Sequence, residues 1–173
     1  MIRKYPLALL ILAVTPFAYA QTAKPAAGAD SGLESYANAR FAFAVEYPKG
    51  VLFPQGESTN GDGQRFESKD KKFTLAVWGG FNVFDRTVAE ECDWHIGIKR
   101  KAAPLTVTYK ASKGNWYVFS GVTGGVIVYQ KGILQDGAFK TLLLEYPQSD
   151  KDALDPVVKR IIGSFVSIKA EAQ

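Results

Sequence analysis

Four alternating extended segments stand in a row in the C-terminal half, and their separators are too short for anything but hairpins. The segments are residues 105–111, 115–122, 126–134 and 138–146, divided by Lys113-Gly114, Gly124-Gly125 and Asp136-Gly137. Gly-containing pairs supply the positive φ that two-residue β-turns demand. Parallel neighbours would need a crossover of roughly a dozen residues or more. The four strands are therefore antiparallel neighbours. Leu142, Leu143 and Leu144 are adjacent, so the last strand is apolar on both faces. Such a strand belongs in the middle of a sheet covered on both sides.

The N-terminal half adds more strand. Phe41, Phe43, Val45 and Tyr47 alternate with Ala42, Ala44 and Glu46, which predicts a strand over 40–47 ended by Pro48. A short extended piece at 51–53 precedes a polar loop, 55–63, where Asn60-Gly61 and Asp62-Gly63 favour left-handed turns. Residues 64–68 and 72–78 read as a hairpin about Lys69-Asp70-Lys71, with Gly79-Gly80 stopping the second strand.

Two helices complete the plan. Thr87 and Glu90 form a capping box. Beyond it Val88, Ala89, Cys92 and Ile96 share one face, with Glu90, Asp93 and Lys101 on the other. Gly97 weakens the last turn by about 1 kcal/mol relative to Ala. Lys99, Arg100 and Lys101 suit a helix C-terminus. The second helix has two readable starts. One lies at 149–152; the other uses Asp155 as N-cap with Pro156 in the first turn. Val157, Val158, Ile161, Ile162 and Phe165 then form its apolar stripe. Strands, helix, four strands, helix: the order predicts one α+β domain, an antiparallel sheet between covering helices.

Ahead of this domain, Arg3 and Lys4 precede an apolar run over 7–14, and Ala18 and Ala20 bracket Tyr19 in the small-x-small pattern read by signal peptidase. Residues 1–20 are expected to be a cleaved signal peptide, with the cut before Gln21. The run is far short of the ~20 apolar residues of a membrane span. Residues 21–35 read as a flexible leader, 36–168 as the domain and 169–173 as a polar tail. The expected location is the periplasm, or outside the cell, with no membrane span after cleavage.

Composition excludes several classes. The 173 residues hold one cysteine and one histidine, which rules out an internal disulfide and a multi-histidine metal site. Hydrophobic residues at 47% and aromatics at 13% rule out a wholly disordered chain. The net charge of +4 falls to +2 without Arg3 and Lys4, and the basic residues form no stripe, so no nucleic-acid partner is expected.

Several pieces taken together carry a resemblance. They are the segments at 36–48, Asn60 to Gly63 with Phe66, Val77-Trp78-Gly79, 114–121, Leu144 to Pro147, and 155–165. The chain resembles small exported bacterial proteins of the PsbP-like fold, named for an accessory protein of the photosynthetic oxygen-evolving complex. The resemblance spans roughly 36–166. It implies a twisted antiparallel sheet between helices, an α/β/α sandwich, and a binding or assembly role rather than catalysis. It transfers no functional residue.

Three residues remain as site candidates. Cys92 and His95 are three apart on one helix, so the imidazole could activate the thiol, or the pair could begin a zinc site. Cys92 also lies in the apolar stripe, where a free cysteine behaves as a small hydrophobe. Zinc would need carboxylate ligands from elsewhere. Trp116 and Tyr117 point to opposite faces of one strand, so one of them can line an apolar ligand groove. The Asn60–Gly63 loop reads as a turn rather than a calcium loop, and the glycines between 121 and 132 as turn and close-packing positions. No catalytic residue, metal or cofactor is expected. The reading is a non-catalytic accessory protein that binds another cell-envelope protein. The alternatives are a carrier of a small apolar ligand in a sheet-lined groove, and a thiol-dependent enzyme using Cys92 and His95.

Overall fold

A computed structural model describes residues 32–168. The expected signal segment with Ala18 and Ala20, residues 21–31 of the leader and the tail 169–173 lie outside them.

The predicted meander is present. Strands β6 (Thr106–Lys113), β7 (Trp116–Thr123), β8 (Val126–Gln135) and β9 (Ala138–Pro147) follow one another antiparallel. Gly124, Gly125, Asp136 and Gly137 all have positive φ, as hairpin turns of matching twist require. The first turn is Gly114-Asn115, one residue later than expected, because Lys113 pairs with Trp116.

Before them come β3 (Phe53–Glu57), β4 (Gly63–Glu67) and β5 (Thr74–Phe81), and the seven strands form one sheet in the order β3-β4-β5-β9-β8-β7-β6. Strand β9 is central, and Leu142 and Leu144 are fully buried. A second, three-stranded sheet holds β1 (Leu33–Asn38), β2 (Phe43–Pro48) and β10 (Val166–Ser167) in the order β1-β2-β10. Helix α1 (Val88–Ala102) covers one face of the large sheet over β6, β7 and β8. Helix α2 (Lys151–Ser164) and the small sheet cover the other. The fold is thus the expected α+β domain, with the sheet enclosed on both sides.

Two cores result. The larger gathers Phe43, Val45, Phe66, Leu75, Leu142, Leu144, Ile161 and Phe165. The smaller lies under α1 and holds Cys92, Ile96, Leu105, Tyr117, Phe119, Val128 and Phe139. The alternation of Phe41, Phe43, Val45 and Tyr47 correctly marks a buried face. The strand itself starts only at Phe43, because the Asn38 side chain accepts from the Phe41 amide at 2.8 Å and Ala42 sits at φ +51° in the intervening turn.

Four expectations are corrected. Strand β1 begins at Leu33, so ordered structure starts three residues before the boundary at Tyr36. The loop expected over 55–63 is partly strand, and its turn is confined to 58–62, where the Asp62 amide donates to Ser58 Oγ at 3.0 Å. Gly79-Gly80 does not end β5, which runs on to Phe81. A Cβ on Gly79 would lie 2.1 Å from the Phe41 ring, so this glycine marks a close approach rather than a stop. Asp155 is not an N-cap. A short 3₁₀ turn (Gln148–Asp150) leads into α2 at Lys151, and Pro156 sits inside the helix. Pro156 forgoes one helical hydrogen bond on an exposed side, while Leu154, Val158 and Ile161 at helical spacing fill the core.

Candidate functional site

The connection from β5 to α1 is the least ordinary loop in the molecule. It places Phe81, Val83 and Phe84 in solvent, at 64%, 74% and 72% exposure. Yet it is braced. The Asn82 side chain donates to the Arg86 carbonyl at 2.9 Å and accepts from the Arg86 amide at 3.0 Å. The Asn82 amide donates to the Gly137 carbonyl at 2.9 Å, and the Asp85 amide to the Asn82 carbonyl at 3.1 Å. Thr87 then caps α1 in the predicted box: its hydroxyl accepts from the Glu90 amide, and the Glu90 carboxylate accepts from the Thr87 amide.

Helix α1 answers with Trp94 and Ile98, both exposed and four residues apart. Between loop and helix lies a cleft of about 460 Å³, walled by Trp78, Phe81, Phe84, Trp94, Ile98 and Phe139. Its polar groups are Asn82, Arg86, Glu91, His95 and Thr141. Glu91 is buried, and both its oxygens are engaged. Arg86 Nη1 donates to Oε2 at 2.9 Å, and His95 Nε2 lies 3.2 Å from Oε1. The Arg86 guanidinium lies over two rings, 4.7 Å from the centre of Phe84 and 4.4 Å from that of Trp94.

His95 rests on Tyr117, with ring centres 6.1 Å apart and planes near parallel, and meets Trp78 and Trp94 edge-on. Burial pushes its pKa below the ordinary value, outweighing the pull of Glu91 in the other direction. Burial thus favours the neutral imidazole. Tyr117 is fully buried, accepts from Gln130 Nε2 at 2.8 Å, and has its phenol pushed up by burial.

The structure separates Cys92 from His95. His95 turns to Glu91, whereas Cys92 is fully buried in the core under α1. Burial pushes its thiol up to about 11, which opposes thiolate formation. We expect the native protein to react with a maleimide at least ~100-fold more slowly than the urea-unfolded chain, in keeping with thiolate-limited reactivity. Equal rates would show an accessible thiol.

Trp116 lies on the opposite face of β7 from Tyr117, as alternation demands. It lines a separate open groove of about 380 Å³ with Tyr109, Val118, Tyr129, Lys131 and Ile162. Lys131 Nζ is turned to the carbonyls of Ile162 in α2 and of Phe165 just beyond it. Among the described residues no cluster of three or more His, Cys, Asp or Glu is placed to hold a metal. No helix among them is long and apolar enough to cross a membrane.

Sequence reasoning found His95 and missed the rest of the cleft. Two signals were present. Phe81, Val83 and Phe84 crowd a short stretch between a strand and a capped helix, where polar residues are usual. Trp94 and Ile98 lie off the Cys92–Ile96 stripe, which should have marked a second apolar strip on α1.

Seven antiparallel strands, with one helix on one face and a helix plus a small sheet on the other, define a PsbP-like α+β sandwich. Among solved structures the chain is similar to cyanobacterial PsbP (CyanoP) from Synechocystis sp. PCC 6803, with a TM-score of 0.62 and 12% identity over 84% of this chain and 98% of that one. It is also similar to PA94, a Pseudomonas aeruginosa protein of unknown function, with a TM-score of 0.48 and 12% identity over 78% of this chain and 96% of that one. No family model matches the sequence, and no curated protein matches it. At this identity the likeness to CyanoP establishes the fold, and function has to be argued from the site.

Proposed function

We propose that this chain is an exported, periplasmic, non-catalytic accessory protein that binds another cell-envelope protein through the rim of the α1 cleft. One observation carries the reading: Phe81, Val83, Phe84, Trp94 and Ile98 form a contiguous exposed apolar rim on a braced loop and a capped helix. Clustered exposure of this kind marks interaction surfaces, whereas scattered exposed apolar residues are ordinary. A rigid loop also loses little conformational entropy on binding. The buried Cys92 counts against the thiol-enzyme alternative. The Trp116 groove is open rather than enclosed, which counts against the carrier.

The test is native mass spectrometry of the protein gently purified from its own envelope extract. The expected species begins at Gln21 and carries a second protein. Phe84→Asp should reduce that complex at least ~10-fold while leaving the melting temperature unchanged, since Phe84 supports no core. A complex that survives Phe84→Asp, or a small-molecule mass in its place, overturns the reading.

A further inference from the structure

The cleft is more specific than an apolar patch. The Arg86 guanidinium lies over both Phe84 and Trp94, at 4.7 and 4.4 Å from the ring centres, and is tied through Nη1 to Glu91. That is its one side-chain hydrogen bond among the described residues, and the side chain keeps 23% exposure. Arg86 itself is part of the cleft lining. A stacked, pre-oriented guanidinium suits a carboxylate, which it can meet with two parallel hydrogen bonds. A cationic ligand is disfavoured, because Arg86 already occupies the aromatic pair a cation would seek.

The shape selects the source. Val83 and Phe84 line the mouth of the cleft yet keep 74% and 72% exposure, so a small acid held on Arg86 would leave most of their surface wet. A chain continuing over the rim would cover them. A membrane surface fits poorly, because the cleft is concave and its floor carries Glu91, His95 and Thr141. We infer that the occupant is an extended segment of the partner protein with an Asp or Glu beside a large apolar residue, the carboxylate on Arg86 and the apolar group against Trp78, Trp94 and Phe139. This rests on the docking reading above.

Binding should also depend on pH. His95 is faced by Glu91 and Lys99 on its own helix, Arg86 from the loop, Tyr117 from β7 and Trp78 from β5. Lys99 is itself paired with Glu145. An arriving carboxylate makes protonation of His95 more favourable. By linkage, affinity should rise as pH falls from 7.5 to 6, where Asp and Glu of the segment remain ionised.

The experiment selects displayed random heptapeptides on the wild-type protein, with Phe84→Asp as the counter-selection. The strongest peptide is then measured by Trp fluorescence, together with its Asp→Asn or Glu→Gln version. Enrichment of an acidic residue within two positions of Phe, Trp, Leu or Ile is expected. Amidating that residue should weaken binding at least ~10-fold on wild type, as for a charged hydrogen-bonded pair. It should cost less than ~3-fold on Arg86→Gln, a variant first checked for a cooperative melt because it leaves Glu91 one partner short, and an intermediate amount on Arg86→Lys, which keeps the charge but not the fork. Apolar peptides lacking an acid, basic peptides, or no enrichment would overturn the inference and leave the docking reading to the native mass measurement. Flotation with phosphatidylglycerol vesicles that is lost in Phe84→Asp would overturn it in favour of a membrane surface.

Discussion

Replacing Tyr117 by alanine is expected to destabilise the domain by about 4–5 kcal/mol, the upper range for removing a buried aromatic ring. Tyr117 is fully buried and supports the site from below, between His95 and Phe139. Truncation leaves a void under the imidazole and removes the acceptor of the Gln130 side chain, which is itself 1% exposed. Each kcal/mol should lower the melting temperature by roughly 3 °C in a domain of this size. Tyr117→Phe keeps the ring but takes the phenol oxygen away from both Gln130 and Thr141, at about 1–3 kcal/mol.

The partner across the strand gives an independent check. Gly132 lies directly opposite Tyr117, and a Cβ there would sit 2.1 Å from the ring. Gly132→Ala should therefore cost about 2–3 kcal/mol by overpacking, since the ring is pinned by Gln130 and cannot swing away. The double variant should be less destabilised than the sum, because the new methyl group occupies part of the void. Urea unfolding measures all four variants. Additive losses, or a loss under about 2 kcal/mol for Tyr117→Ala, would mean that the ring does not hold this floor.

The second large effect concerns Glu91. Glu91→Ala is expected to cost about 2–3 kcal/mol, below the 3–5 kcal/mol of a fully buried pair because Arg86 retains some water. The same site shapes the response to acid. His95 has a folded pKa below its ordinary 6.5. As pH falls through about 6.5, the unfolded chain takes up a proton that the folded protein refuses. Stability therefore declines below that point until His95 titrates in the folded state. The slope is at most about 1.4 kcal/mol per pH unit for one proton. His95→Gln should flatten this component between pH 7.5 and 5.5. Glu91→Gln should deepen it, because the carboxylate that pulls the histidine pKa back up is gone. Unfolding free energies at the two pH values decide the matter; a decline of equal size in wild type and His95→Gln would assign it to other groups.

Much of the framework was legible before any coordinate. The hairpin turns at 124–125 and 136–137 are where Gly-Gly and Asp-Gly place them, and the Thr87 cap forms because its partners are three residues apart. Both are local devices, complete within a few residues. The errors arose where a residue's role was set from a distance. Gly79 carries the local signature of a stop, but its role is set by Phe41, whose ring lies against it. Of the two readable starts of the second helix, the structure takes the one at 149–152 and not Asp155-Pro156, because Leu154 is needed in the core. The first half of β1, residues 33–35, falls in the expected leader because its pairing to β2, not its own pattern, makes it a strand.

The candidate site divides along the same line. His95 could be picked out as the one histidine of the chain, and the stripe containing Cys92 could be drawn from helical spacing. The sequence by itself determined the antiparallel meander, the capped helix and the apolar faces, because these follow from turn chemistry and periodicity within short stretches. Only the tertiary structure decided that Cys92 is enclosed, that His95 turns to Glu91, and that Phe81, Val83, Phe84, Trp94 and Ile98 stay in water. Periodicity says which residues share a face; whether that face meets protein or solvent depends on how far the neighbouring elements reach.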